Sequence, residues 1–190
     1  MTANYLGPDP EGPPDEEAYS RVTNPERFAP LHDIAAGLLN RLEATFDVER
    51  AEGYDLDPEL ESVELARPST RLVPRDPGAA PIVVAFTALP GVFVRFGRWC
   101  IIRFPSCGCD ACVDTLDYEV ERLDEMIDDV TAGRFREAIR PVGGDPWLTH
   151  EFWSSSGRSK GERKLGRSRA QQLLVGNDRS SYEWSPWPRR

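Results

Sequence analysis

The apolar positions follow two different periods along the chain. Phe28, Leu31, Ile34, Ala35, Leu38, Leu39, Leu42 and Phe46 recur at steps of three and four, the spacing of one buried helical face. Thr23 or Asn24 can cap the start of that helix and Pro25 suits its first turn. Thr23 and Glu26 also have the spacing of a capping box, and the helix is expected to stop before Gly53. Between residues 62 and 104 the period falls to two, through Val63, Leu65, Leu72, Val73, residues 82–86, Val92, Val94, Phe96 and residues 99–104. Pro90-Gly91 and Gly97-Arg98 punctuate these runs, so three or four antiparallel strands are predicted. A second helix follows, with Val113, Leu116, Val120, Leu123, Ile127 and Val130 as its apolar stripe and Gly133 as its stop. Its other face carries Asp114, Asp117, Glu119, Glu121, Asp124, Glu125, Asp128 and Asp129, a surface for a protein partner or the solvated side of a helix packed on its own sheet.

Beyond Gly143-Gly144-Asp145-Pro146, a turn, the pattern predicts a short strand over 147–153, a Ser/Gly/Arg/Lys loop and a short helix over 169–175. The last stretch, from Tyr182 to Pro188, is too rich in Pro for regular structure. It contains Trp184 and Trp187, whose large apolar area is expected to dock back onto the domain or onto a protein partner. The predicted fold is therefore α+β: one domain over 21–178, an antiparallel sheet of four or five strands flanked by two main helices. A disordered acidic lead over 1–20 and a Pro/Trp-rich tail over 179–190 flank it.

Composition narrows the class. With 190 residues the chain can hold one ordinary core, and its 39% apolar content with 17 Pro and 15 Gly fits ordered stretches divided by loops. No apolar run approaches the roughly 20 residues of a membrane helix, and the opening residues lack the basic and apolar stretches of a secretory signal. A cytoplasmic protein without a membrane partner is expected. The net charge of −9 is unevenly placed: residues 1–150 hold 14 basic and 28 acidic side chains, residues 151–190 nine and four. The acidic body repels phosphate backbones, so nucleic-acid binding would fall to Arg158, Lys160, Arg163, Lys164, Arg167 and Arg169, with Trp147, Phe152 and Trp153 as stacking faces. The competing reading is that these cations neutralise the acidic helix or form a solvated loop.

Cys107-Gly108-Cys109-Asp110-Ala111-Cys112, with Cys100 seven residues upstream, is the one local constellation with chemical content. Short spacings let several thiolates converge on a zinc ion, and Gly108 would permit a tight backbone between two ligands. Cys100 is the nearest fourth ligand in sequence, and His150, His32 and Asp110 are alternatives. The same residues allow thiol-disulfide exchange by Cys109 and Cys112 if Cys109 stands at a helix N-terminus, which lowers a thiol pKa. They also allow plain reduced thiols. His150-Glu151 lacks the second histidine of a zinc-protease motif, residues 154–157 lack the Gly-x-Ser-x-Gly elbow, and no catalytic set is visible.

Gly97-Arg98-Trp99-Cys100 with Phe104-Pro105-Ser106 and the Cys-Gly-Cys-Asp-x-Cys string, after the Thr23-Asn24-Pro25-Glu26-Arg27-Phe28 helix start, resembles an uncharacterised family of actinobacterial proteins over most of residues 20–155. The resemblance implies a cytoplasmic bacterial origin and carries over no activity and no functional residue. The function expected from the sequence is a non-enzymatic interaction or regulatory module with a structural zinc site on Cys107, Cys109, Cys112 and Cys100.

Overall fold

The computed structural model describes residues 14–57, 60, 63–112, 114–154, 157–177 and 179–190. Most of the expected acidic lead, residues 1–13, lies outside the described residues, while Glu16–Tyr19 within it forms a 3-10 turn.

Leu31, Ala35, Leu38, Leu39 and Leu42 make the buried stripe of α1 (Leu31–Thr45). The helix starts later than its sequence signals. Pro25–Phe28 is a separate 3-10 turn, and Pro30 occupies the N-cap position of α1. Thr23 caps neither, because its amide and hydroxyl both donate to the Asp110 carboxylate, at 2.8 and 3.0 Å. α1 stops before Gly53, as expected: the backbone turns extended at Phe46 and enters β1 (Val48–Gly53).

β1 opens a five-stranded antiparallel sheet with β2 (Leu65–Pro74), β3 (Ile82–Thr87), β4 (Val92–Phe96) and β5 (Cys100–Phe104), in that spatial order. One face presents Leu72, Ile82, Val84, Phe86, Val94 and Phe96 to α1 and to α2 (Leu116–Thr131). The central strand β3 is buried along its whole length. On the other face Arg95 of β4 pairs with the buried Asp57 at 2.6 Å, tying down the connection from β1 to β2.

The single predicted sheet is corrected to two. β6 (Phe135–Val142), β7 (Asp145–Trp153), β8 (Arg158–Lys164) and β9 (Ser181–Glu183) form a second antiparallel sheet in the order β8-β7-β6-β9, with α3 (Arg167–Leu174) after β8. Phe135 and Phe152, cross-strand partners on β6 and β7, stack at 4.6 Å and meet Phe96 edge-on, at 6.3 and 5.5 Å, so both sheets share one core. A smaller cluster joins Trp99 to Ile139, Leu148, Leu165, Ala170 and Leu173.

Residues 179–190, read from sequence as a tail, are built into the domain. β9 pairs with β6, and Trp184 and Trp187 are buried in the main core. The Trp187 indole donates to the Ala80 carbonyl at 2.9 Å and its amide to Thr131 at 2.9 Å. Gly133, which ends the turn after α2 at φ +72°, lets this segment pass: a Cβ there would lie 2.5 Å from the Pro186 nitrogen. Glu137 of β6 fastens the two sheets together. Its buried carboxylate accepts the amides of Arg98 (2.6 Å), Trp99 (2.9 Å) and Cys100 (3.0 Å) at the β4–β5 turn, and the Trp184 indole at 3.3 Å.

Candidate metal centre

The loop between β5 and α2 is held from three sides before any thiol is considered. From α2, the fully buried Glu119 accepts the Ser106 amide at 3.2 Å and is itself clamped by two donors of Arg122, at 3.0 and 2.6 Å. From the N-terminal segment, Arg21 and Thr23 close on Asp110, and the amides of Asp110 and Ala111 donate back to the carbonyls of Arg21 and Ala18. Arg27 reaches in from the turn before α1, its guanidinium donating to the Gly108 and Cys109 carbonyls at 3.4 Å each.

Within that frame the Sγ atoms of Cys107, Cys109 and Cys112 converge, all within 4.8 Å of one another. Cys107 and Cys109 are 3.2 Å apart, Cys109 and Cys112 3.5 Å. These separations exceed the roughly 2.05 Å of a disulfide and lie a few tenths of an ångström below the spacing of about 3.7 Å between thiolates at ~2.3 Å around one tetrahedral ion. The cluster contains three thiols and not four. Cys100 is buried in the main core, facing Phe96 across the β4–β5 pair, with its amide on Glu137. Burial, with a smaller push from the Glu137 charge, raises its thiol well above the ordinary range.

The other proposed fourth ligands are also engaged elsewhere. His32 Nε2 bonds the Gly91 carbonyl at 2.8 Å, and the His150 ring on β7 lies against Gly161, with its pKa lowered by burial and by Arg163. The Asp110 carboxyl is held below its usual range by the Thr23 amide first and then Arg21, so it organises the loop and is not part of the thiol group. Gly108 is not in the left-handed region, and a Cβ there would meet open space. The tight turn rests on the surrounding hydrogen bonds, not on that glycine.

The thiols are electrostatically unequal. The Cys107 thiol donating to it, with smaller contributions from Cys112 and from the amides of Cys112 and Ala111, holds the Cys109 thiol below its ordinary value against burial. Burial first, then the two neighbouring thiols, pushes Cys112 up to about 12. The expected helix-dipole activation of Cys109 is absent, because α2 begins only at Leu116, with Thr115 as its N-cap accepting the Tyr118 amide at 3.2 Å.

The model of a family of unknown function, DUF6226, matches residues 1–190. The chain belongs to that family. Comparison with curated proteins and with solved structures finds no match to this DUF6226 chain. Among its described residues no helix is long and apolar enough to cross a membrane.

Of the other sequence candidates, the basic run lies on β8 and α3. Arg158 pairs with Glu151 and Lys164 with Asp145, both on β7. The acids of α2 find different partners: Glu119 pairs with Arg122, Asp124 with Arg41 and Asp129 with Arg134. Phe152 is buried and offers no stacking face. Sequence reasoning gave Arg27 and Arg122 no role and placed Glu119 on the polar face of the second helix, where the structure instead buries it. The only sequence signal was the i,i+3 spacing of Glu119 and Arg122 on a predicted helix.

Proposed function

We propose that this chain is a non-enzymatic interaction or regulatory module whose β5–α2 loop is fixed by one zinc ion on Cys107, Cys109 and Cys112. The observation that carries the reading is the convergence of three thiols inside a loop already held by Glu119, Asp110 and Arg27. The donor set fits: soft thiolates at short spacing favour zinc, and residues behind a metal's ligands fix their orientation. The cation would supply what lowers the thiol pKa values together, offsetting the burial that pushes Cys112 up. Among the described residues no fourth His, Cys or carboxylate joins the group, so a water or a partner's side chain completes the shell. Reduced thiols of this kind suit a reducing compartment such as the bacterial cytoplasm. The exposed acids of α2, Asp117, Glu121, Glu125 and Asp128, offer a docking face for a basic protein. Protein purified without chelators should hold one equivalent of zinc, with three thiols protected from alkylation until the metal is removed. Less than half an equivalent, with every thiol freely reactive, overturns the reading.

The inequality of the thiols supports a second reading, thiol-disulfide exchange. The Cys109 thiolate would attack an external disulfide, releasing one half as a thiol. The Cys112 thiolate would then attack the Cys109 sulfur, releasing the other half and leaving a Cys109–Cys112 bridge. The pH dependence of Cys109 alkylation decides it: a midpoint near the ~8.5 of free cysteine removes it.

A further inference from the structure

Two cavities beside β4 and β5 meet at a common wall of Val63, Phe93 and Arg103. The first, about 450 Å³, is largely apolar: Phe28, Phe104 and Pro105 line it, and Leu89 and Val22 at its margin are 60% and 41% exposed. The second, about 430 Å³, is basic: Arg103, Arg163, Lys164 and Arg169 line it, with no carboxylate among the described lining residues. Among the described lining residues Glu64 is the one acid on either wall, in the apolar half. Elsewhere in this acidic chain arginines sit on carboxylates, as Arg21, Arg95, Arg122 and Arg134 do. Arg103 and Arg163 form no ion pair among the described residues, and Lys164 is shared with Asp145 at 2.5 Å. Arg103 lies over the Phe93 ring at 5.1 Å, so its charge stands where the apolar and basic halves join.

A concave site of a few hundred Å³ with an apolar body and a few convergent charges is the form of a small-molecule site. Large apolar side chains left in water at its margin mark the surface an occupant covers. Unmatched guanidinium groups at one end select a carboxylate or phosphate, which their planar fork binds with two hydrogen bonds.

We infer that this groove binds a small amphipathic anion, with its aliphatic or aromatic body between Phe28 and Leu89 and its anionic head on Arg103 and Arg163. Cys107 and Gly108 of the thiol loop also line the apolar half, but the contacts invoked for the anion are on Phe28, Leu89, Arg103 and Arg163, so a chain without zinc that still binds leaves the inference standing.

The test is calorimetric titration of the full chain with monomeric decyl phosphate, decanoate, decanol and inorganic phosphate. Decyl phosphate or decanoate should bind at least tenfold more tightly than decanol, and inorganic phosphate should give no saturable heat. The double substitution Arg103→Gln, Arg163→Gln changes only exposed side chains; it should weaken the two anionic amphiphiles at least tenfold and leave decanol unchanged. Leu89→Ser should weaken all three amphiphiles. Equal affinity for decanol and the anions, or a double variant that binds as the parent does, overturns the inference. So does sedimentation with phosphatidic-acid vesicles in the absence of binding to monomeric decyl phosphate, which would assign the groove to a bilayer surface.

Discussion

A thiol becomes a ligand through what stands behind it. Cys107, Cys109 and Cys112 could be read in the sequence because three sulfurs within six positions can reach one point without any long-range fold. Their exclusion of Cys100 could not, since it depends on β5 turning that side chain into the core opposite Phe96. Cys100→Ala should therefore keep full zinc stoichiometry, whereas Cys107→Ser should lose it; equal loss in both would return Cys100 to the site. Arg27 acts one layer out, on the carbonyls of Gly108 and Cys109. Arg27→Ala should lower zinc affinity about 10–100-fold, the usual effect of removing an outer-shell partner, measured by competition with a chromogenic chelator. Unchanged affinity would show that the loop holds its shape alone. Glu137 is the other decisive residue, and no motif announced it. Burial pushes its carboxyl up to about 7 against the backbone amides and the indole that favour the charged form. The folded chain thus keeps a proton that the unfolded chain releases near ~4.3, so stability falls as pH rises from there through about 7. Urea unfolding from pH 5 to pH 8 should show that decline in the parent and not in Glu137→Gln; parallel profiles would contradict it.

Elements were legible where one face is buried and the other is not. The stripes of α1 and α2 and the alternation on β4 report the core directly, since apolar period is a record of burial. β8 escaped because Arg158–Lys164 is an edge strand whose residues are nearly all exposed, so nothing alternates, and its charges suit a sheet edge that must not pair further. β1 is polar for the same positional reason. The C-terminal segment escaped for the opposite reason: only its two tryptophans carry the packing signal, while Pro186 and Pro188 beside them argue against regular structure. Its contribution is large. Trp187 fills the core beside Phe46, with ring centroids 5.5 Å apart, and anchors its indole on Ala80. Trp187→Ala should cost about 3–5 kcal/mol in chemical denaturation, as truncation of a buried aromatic does. A loss under about 1 kcal/mol would mean that the segment is not part of the cooperative unit.

At the scale of the whole molecule, the thiol loop is where the N-terminal segment, the end of the first sheet and α2 come together. Arg21 and Thr23 reach it from one side, Glu119 from another. A cation there would tie three separately encoded parts of the chain into one unit, and its binding energy would add to folding energy. The charge asymmetry seen in the sequence has a local counterpart in the second cavity, where Arg103, Arg163, Lys164 and Arg169 stand with no acid among the described lining residues. Three sulfurs of this loop, and no others, should hold one zinc ion. X-ray absorption at the zinc edge on chelator-free protein tests it most directly. The metal's first shell should hold three sulfurs at about 2.3 Å with one lighter N or O neighbour. A shell of four sulfurs, a shell without sulfur, or protein that carries no zinc would contradict it.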